Sequence, residues 1–442
     1  MKKFILIAGL FISFSSCEVL DVKPQSAVPA DEAINDKAGV EKGVLGAYNG
    51  LQSLSYYGRT YCIFADLAAD NLLHPANATA VSYDQVDNNA ILPENESVDG
   101  IWGAIYDAIN VANNVIDKVP GISDMSAAEK NSALGELYFL RALNHFNLMN
   151  YFGRIPVKTK PTVGLGAVNA ARDEINVVYD QIISDLQFAS QNLAANSSLK
   201  TRATKQAANA LLARVYLYRQ DYVNAGLYAS QVINAGGYSL MTDYAEIFSS
   251  EGISESIFEV DFTELDRNRI AEYNFPLSLN GRREVAPDPT LLAAYTTSDT
   301  RLNASVGYSG TDAYAKKYDD LSTGSDNFMV LRLAEMYLIR AEAIAMLNGN
   351  AQQVQDDINV IRNRAGLADV TTSDITQLIP VIETERRLEL AFEGHRWFDL
   401  VRTGRATVIL PTVTNINKTL FPIPLSELLS NTSPGMTQNP GY

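Results

Sequence analysis

Residues 385–402 of the 442-residue chain read ERRLELAFEGHRWFDLVR. Glu385, Glu389 and Glu393 recur in steps of four, which predicts that they share one face of a helix with neighbouring Cβ atoms roughly 5–6 Å apart. Basic and large apolar side chains are interleaved with them, namely Arg386, Arg387, Leu388, Leu390, Phe392, Arg396 and Trp397. We interpret the row as a structural network of glutamate–arginine pairs that joins this helix to its neighbour.

The same row has a catalytic alternative. A retaining glycosidase uses two carboxyl groups that lie roughly 5–5.5 Å apart, and Glu385 with Glu389 would meet that spacing. Catalytic pairs usually come from different elements that face each other across a cleft, and the arginines around this row favour the structural interpretation. A glycoside hydrolase therefore stays an alternative that an assay against a glycan panel would decide.

Helical periodicity covers most of the chain. Apolar residues recur at spacings of three and four in two helix–turn–helix units, one at 208–235 and one that starts at Val330 and continues through 351–364. Each unit has about the length of a tetratricopeptide repeat, which consists of two packed helices. Further helices are predicted at 38–52, 98–118, 127–151, 172–194 and 374–393. The predicted fold class is mostly α, a tetratricopeptide-like scaffold with minor β at Ser256–Val260.

Two loop-rich regions, 53–97 and 240–326, interrupt the helical pattern. Loops this long usually carry function in a helical protein, because ordering them costs conformational entropy without adding core. Tyrosine has an apolar ring and one polar end, which suits contact with a sugar. Arg, Asn and Asp side chains can form hydrogen bonds with the hydroxyl groups of the sugar. The predicted ligand-contact residues are Tyr57, Arg59, Asp70, Asn71 and Tyr83 in the first region, and Tyr273, Arg282, Arg283, Tyr308 and Tyr314 in the second.

Charge and composition exclude several classes of function. The chain carries 51 acidic and 35 basic residues, for a net charge of −16. So acidic a protein repels phosphate backbones, which argues against nucleic-acid binding. Two cysteines and three histidines give no basis for a disulfide scaffold or a structural zinc site. Neither a nucleophilic triad nor a phosphate-binding loop is visible, so no cofactor, metal or catalytic residue is predicted.

The N-terminus has the pattern of a secretory signal peptide over residues 1–16. A basic start precedes an apolar run at 4–14, which is far shorter than the ~20 residues that a membrane span needs. The sequence FSSC at 14–17 is similar to a bacterial lipobox, although Phe14 stands where leucine is usual. We predict lipid attachment at Cys17 and a linker over 17–37. The alternative is an ordinary signal peptide without lipidation.

The segment 385–402 closely resembles the C-terminal hallmark of the SusD/RagB family. Further stretches match that family in the same order: residues 332–343 (RLAEMYLIRAEA), 421–424 (FPIP) and 438–442 (QNPGY). Residues 102–113 and the pair Arg141-Ala142 also resemble the family's N-terminal helices. Together with the lipobox, the resemblance covers nearly the whole chain.

The resemblance implies a cell-surface lipoprotein of the outer membrane, anchored at Cys17. It implies a tetratricopeptide-containing scaffold over 38–239 with a loop insertion at 53–97, a ligand-binding insertion over 240–326, and a C-terminal helical part over 327–442. Members capture oligosaccharides, or in some cases peptides, and pass them to a SusC-like TonB-dependent transporter without catalysis. Six hallmark residues would be structural: Glu385, Arg386, Glu389, Glu393, Arg396 and Trp397. Peptide capture and a purely protein-binding scaffold stay open as alternatives.

Overall fold

The computed structural model describes residues 33–164 and 167–442. The predicted signal peptide at 1–16, the lipidation site Cys17 and the linker as far as residue 32 lie outside the described residues. The helices are α1 (Lys37–Asn49), α2 (Thr60–Leu67), α3 (Val81–Asp87), α4 (Glu96–Lys118), α5 (Ala127–Phe152), α6 (Ile175–Asn192), α7 (Lys205–Tyr218), α8 (Tyr222–Asn234), α9 (Ile270–Asn274), α10 (Pro289–Ala294), α11 (Thr300–Ser305), α12 (Leu333–Met346), α13 (Ala351–Arg364), α14 (Ile375–Glu389), α15 (Arg396–Arg402), α16 (Ala406–Ile409) and α17 (Leu425–Ser430). The strands are β1 (Leu72–Leu73), β2 (Ser256–Val260), β3 (Ala286–Pro287), β4 (Val306–Ser309), β5 (Asp312–Ala315) and β6 (Phe328–Arg332).

Short-range hydrogen bonds fix where the long helices begin. The Asn95 side chain accepts hydrogen bonds from the backbone N–H groups of Ser97 and Val98 at the start of α4. At the start of α5, Ser126 and Glu129 form a reciprocal capping box. Such caps each contribute about 1 kcal/mol, and they define starts close to the predicted residues 98 and 127.

The long helices pack one after another into a single scaffold. α5 packs on α6, α6 on α7, α7 on α8, α8 on α12, and α12 on α13. α7 lies at the centre of this series, where every residue from Gln206 to Tyr218 is buried. The arrangement confirms the predicted mostly-α, tetratricopeptide-like scaffold.

Region 53–97 contains more helix than the sequence pattern predicts. It includes α2 and α3, and all eight residues of α2 are buried. A helix that is buried on every side shows no amphipathic period. The signal on which the helix prediction relied is therefore absent there.

Two predicted helix boundaries in the C-terminal part are wrong. The helix predicted from Val330 begins at Leu333, because strand β6 precedes it. The helix predicted over 374–393 ends at Glu389. Beyond it the backbone turns through positive φ values of 66° at Phe392 and 78° at Gly394, so Glu393 lies after the helix.

The strands form three two-stranded antiparallel sheets in the described part of the chain. β2 pairs with β6, and its range is that of the predicted strand. β4 and β5 form a hairpin within region 240–326. β1 pairs with β3, and this pairing joins region 53–97 to region 240–326.

One hydrophobic core runs through the scaffold and the two loop-rich regions. It includes Leu211 from predicted region 38–239, Val285 from 240–326 and Phe421 from 327–442. The three regions are therefore parts of one folded body. The core also contains Cys62.

Candidate functional site

The glutamate row of segment 385–402 is buried and paired with cations. Glu385 and Glu389 are at most 1% exposed and Glu393 is 5% exposed. The ion pairs join Glu385 to Arg301 and Arg362, Glu389 to Arg301, Arg332 and Arg364, and Glu393 to Arg332 and Lys317. A Glu–Arg network is present, and its cations come from other elements rather than from the interleaved arginines.

The interleaved arginines pair with acidic residues elsewhere. Arg386 Nε lies 3.1 Å from Asp399 Oδ2, and Arg396 Nε lies 2.6 Å from Asp70 Oδ1. Arg387 Nη2 lies 3.1 Å from Asp70 Oδ2. Both oxygens of the Asp70 carboxylate are thus paired with arginines. This corrects the prediction that Asp70 contacts a ligand: it anchors segment 385–402 instead. Trp397 is fully buried.

The buried row does not have the properties of a glycosidase pair. Burial alone would raise the pKa of Glu389, but the charges of the surrounding arginines, that of Arg364 foremost, hold this pKa well below its usual range. A glycosidase needs one carboxyl group that stays protonated to act as an acid. Glu385 and Glu389 are also closed off from any substrate by their burial, which contradicts the hydrolase alternative for these two residues.

The tyrosines at the start of region 53–97 lie inside the scaffold. The Tyr57 hydroxyl accepts a hydrogen bond from Asn147 Nδ2 at 2.8 Å, and Tyr56 and Tyr61 bond to the same asparagine. Burial raises the pKa of Tyr57. Asn71 is 1% exposed and donates to a neighbouring buried carboxylate. Tyr57 and Asn71 therefore offer no surface to a ligand, which corrects the prediction for both.

The two loop-rich regions, which are far apart in sequence, meet at one surface. Besides the β1–β3 pairing, the Arg269 N–H donates to the Gly58 carbonyl at 2.8 Å. The Glu284 carboxylate accepts hydrogen bonds from the backbone N–H groups of Thr79 and Ala80 at 3.1 and 3.0 Å. These bonds hold loop segments of both regions in fixed positions relative to each other.

Four predicted contact residues come together at this surface, and we call them the arginine–tyrosine cluster: Arg59, Tyr83, Tyr273 and Arg282. Arg59 Nη1 donates to the Tyr273 hydroxyl at 2.6 Å. The guanidinium carbons of Arg59 and Arg282 lie 4.3 and 4.9 Å from the centroid of the Tyr273 ring. The Tyr83 ring centroid lies 5.5 Å from that of Tyr273.

The exposed part of the cluster is formed by its arginines. Tyr83 and Tyr273 are 2% and 7% exposed, whereas the Arg282 side chain is 47% exposed and Arg59 is partly exposed. This corrects the expectation that Tyr83 and Tyr273 present their rings to a sugar. The chemical groups offered at the surface are guanidinium N–H donors.

The remaining candidates lie on or beside the β4–β5 hairpin. Gly307 pairs with Tyr314 across the hairpin, so these two residues share one face. Side chains alternate between the two faces along a strand, so Tyr308 lies on the other face. Tyr314 packs on Phe275 with ring centroids 4.5 Å apart, while Tyr308 is 57% exposed. Arg283 pairs with a carboxylate of β5 at 3.1 Å. Tyr308 thus offers an aromatic ring to solvent, on the hairpin face away from Tyr314.

Three further residues of this surface were not predicted: His74, Thr79 and Glu284. Burial would raise the pKa of Glu284, but hydrogen bonds from the Ala80 and Thr79 N–H groups lower it overall. His74 Nδ1 lies 2.7 Å from the Glu284 carbonyl oxygen. No local motif marks these residues, because their contacts join positions 205 residues apart or more.

The described residues contain no helix that is long and apolar enough to cross a membrane. Within the same ranges, no group of three or more His, Cys, Asp or Glu side chains is placed to hold a metal ion.

Sequence comparison identifies relatives along nearly the whole chain. A family model described as starch-binding and associating with the outer membrane matches residues 18–217, and a model of the SusD family matches residues 297–418. SusD-like protein P25 of Formosa agariphila is 28% identical, in an alignment that covers 98% of this chain and 97% of the relative.

Solved structures with the same fold include two SusD-like proteins. A laminarin-binding SusD-like protein is 26% identical with a TM-score of 0.78, over 92% of this chain and 100% of that chain. A SusD-like protein of Bacteroides fragilis is 22% identical with a TM-score of 0.82, over 94% of this chain and 100% of that chain. At the lower identity, the likeness concerns the fold.

Proposed function

Because the chain belongs to the SusD/RagB family, we propose that it binds oligosaccharides at the cell surface without cleaving them and passes them to a SusC-like TonB-dependent transporter. Attachment to the outer membrane through a lipid on Cys17 is part of this proposal. The family model described as starch-binding and the laminarin-binding relative support a glycan as the ligand in preference to a peptide.

The observation that carries the proposal is the surface where the two loop-rich regions meet at the arginine–tyrosine cluster. Guanidinium N–H groups of Arg59 and Arg282 can donate to oxygen atoms of a sugar. Backbone hydrogen bonds from Thr79, Ala80 and Arg269 already hold the segments that carry them. A surface that is ordered beforehand loses little conformational entropy when it binds a ligand.

No covalent step belongs to this mechanism. A sugar chain would bind by hydrogen bonds at the cluster and, where it extends over the hairpin, by contact with the exposed Tyr308 ring. Release to the transporter then requires only that these non-covalent contacts be exchanged for those of the transporter. The acidic residues that could have supported hydrolysis, Glu385 and Glu389, are used for buried ion pairs.

Calorimetric titration of the purified full chain tests the proposal. The protein should bind at least one oligosaccharide from a panel of glucans and acidic glycans, and chromatography of the mixture should recover that oligosaccharide intact. Shortened products that increase with protein concentration would contradict non-catalytic binding. If peptides bind and no glycan does, the ligand is a peptide, and the glycan part of the proposal is wrong. Co-purification of a TonB-dependent transporter from the native membrane tests the predicted partner.

A further inference from the structure

We infer that the oligosaccharide bound at the arginine–tyrosine cluster is anionic, with carboxylate or sulfate groups on its sugar rings. The inference rests on the proposed function, since it names the chemical class of the ligand for that same site. It follows from how the arginines of the cluster are paired. A neutral glycan would leave the charge of Arg59 without a partner and that of Arg282 with only one long carboxylate contact.

Arg59 has no acidic partner among residues 33–164 and 167–442. In those ranges, the arginines without an ion pair are Arg59, Arg172 and Arg267. The Arg172 guanidinium donates hydrogen bonds to three backbone carbonyl oxygens and to the Asn439 side chain. Arg59 donates only from Nε to Thr60 Oγ1 at 3.2 Å and from Nη1 to the Tyr273 hydroxyl at 2.6 Å. Its five N–H donors are therefore not all used, and the side chain is partly exposed.

Arg282 is only weakly neutralised. Its single carboxylate contact, from Nη2 to Glu284 Oε1, is 3.3 Å long. The Glu284 carboxylate accepts shorter bonds from the Thr79 and Ala80 N–H groups, so much of its capacity is already taken. With 47% of its side chain exposed, Arg282 keeps further donors for a ligand.

Both arginines of the cluster contact the same ring, that of Tyr273. Their guanidinium carbons are 4.3 and 4.9 Å from the Tyr273 centroid, so one short oligosaccharide can reach both. An anion bound at the Tyr273 ring is attracted by both cations. Carboxylate and sulfate oxygens also match the fork of N–H donors on a guanidinium.

Other acidic residues near the cluster are already paired. Glu272 lies 3.5 Å from Arg269, and Asp312 lies 3.1 Å from Arg283. Glu272 also acts on Arg282 through its charge, so Arg59 is the cation of the cluster that is left without a carboxylate partner among the residues that the structure describes. The Tyr273 ring is 7% exposed, so it does not offer a neutral sugar the open aromatic face that stacking needs.

The test compares tetragalacturonate, a sulfated carrageenan tetrasaccharide and neutral maltotetraose and laminaritetraose on the full chain by calorimetry. At least one anionic probe should bind more tightly than both neutral ones, with an affinity that falls as salt is added. The carboxylate and sulfate probes distinguish the two kinds of anion. Loss of one charge-assisted contact is worth about tenfold or more, so Arg59→Gln and Arg282→Gln should each weaken anionic binding by that factor.

Arg154→Gln is the matched control, because it removes the same charge from a 45% exposed arginine outside the two loop-rich regions. It should change affinity less than twofold. Arg282→Gln alters an exposed side chain, so its effect does not depend on whether Arg59→Gln folds normally. Neutral probes that bind as tightly as the anionic ones, unaffected by both cluster variants, would overturn the inference and leave the proposed function standing. Failure of every glycan to bind would contradict the proposed function itself.

Discussion

Arg332 Nη1 donates to Glu389 Oε1 at 2.6 Å, and the two side chains are at most 2% exposed. Arg332 ends β6 and Glu389 ends α14, so one buried ion pair connects the strand that follows the loop-rich region 240–326 to the C-terminal hallmark. Charges can be buried in this way only when each is paired and hydrogen-bonded. The pair gives the glutamate row a structural role, which accounts for the row without catalysis.

Glu389→Gln should destabilise the protein strongly. The change leaves Arg332 and Arg364 buried with too little negative charge, a situation that typically costs about 3–5 kcal/mol. Urea unfolding should show a lower midpoint. Glu383→Gln on the same helix is the control: Glu383 is 28% exposed and its contacts with Arg396 and Arg405 are 3.7 and 3.4 Å, so the loss should stay below about 1 kcal/mol. Equal effects of the two variants would show that burial of the row does not matter.

Stability should fall in mild acid because of His145. Burial, followed by the charge of Arg141, lowers the pKa of His145 to about 3. The unfolded histidine takes up a proton below pH ~6.5 while the folded one does not. The folded state therefore loses about 2 kcal/mol of its stability from this group by about pH 5.

Urea unfolding at pH 7 and pH 5 measures this loss by comparing the wild type with His145→Asn. The variant should lose less stability over the same interval. Asp66 acts in the opposite sense: burial raises its pKa to about 6, so its contribution grows as the pH falls through that value and is lost as the pH rises. The difference between wild type and variant removes this common term. Parallel pH dependences would contradict the role of His145.

Gly307→Ala should disturb the hairpin beside the cluster. A Cβ atom at this position would lie 2.3 Å from Tyr314 Cζ, so the Tyr314 ring would have to leave its place on Phe275. We expect a loss of about 1–3 kcal/mol in thermal or urea unfolding. Gly103→Ala is the matched control, because no heavy atom lies within 4 Å of a Cβ there, and it should be neutral or gain up to about 1 kcal/mol as a helix interior site.

Tyr83→Ala and Tyr308→Ala should separate stability from binding. Tyr83 is 2% exposed and packs edge-on against Phe64 at 4.9 Å, so its removal should cost about 3–5 kcal/mol. Tyr308 is 57% exposed, and its removal should change stability by no more than about 0.5 kcal/mol. A loss of oligosaccharide affinity in Tyr308→Ala at unchanged stability would identify it as a ligand contact, and unchanged affinity would remove it from the candidates.

Cys17→Ser should release the protein from the membrane fraction of cells that produce it. A multiply acylated cysteine contributes about 0.8 kcal/mol for each buried CH₂ group, and serine cannot carry these chains through the same linkage. Cys62→Ala is the control and should stay with the membrane, since Cys62 is buried in the core. Membrane residence of Cys17→Ser in the absence of the transporter would contradict the lipid anchor.

The helical scaffold was predictable because its helices are amphipathic or carry clear caps, as α4 with Asn95 and α5 with Ser126 show. α2 was missed for the opposite reason: with all eight residues buried, it has no polar face to reveal a period. The end of α14 was misplaced because the turn at Phe392 uses a positive φ that an ordinary side chain does not signal.

The candidate site was predictable only as a set of residue types in two regions. Arg59, Tyr83, Tyr273 and Arg282 come together through contacts such as the bond from Arg59 to Tyr273, which joins positions 214 residues apart, and no local pattern encodes such a meeting. Burial was equally hidden. Tyr57 has the composition of a surface contact residue, yet its polar end is satisfied by Asn147 inside the scaffold.

Lys317 has a consequence for how such a receptor could be redesigned. Although it belongs to the loop-rich region, its ammonium group is buried and lies 2.7 Å from Glu393, and Arg301 is held in the same way by Glu385 at 2.9 Å. These two ion pairs attach region 240–326 to the glutamate row. The turn at 275–283, in contrast, makes no ion pair with these glutamates. Because Arg282 of the proposed site lies in that turn, its exchange should change which ligand is bound and leave these buried ion pairs intact.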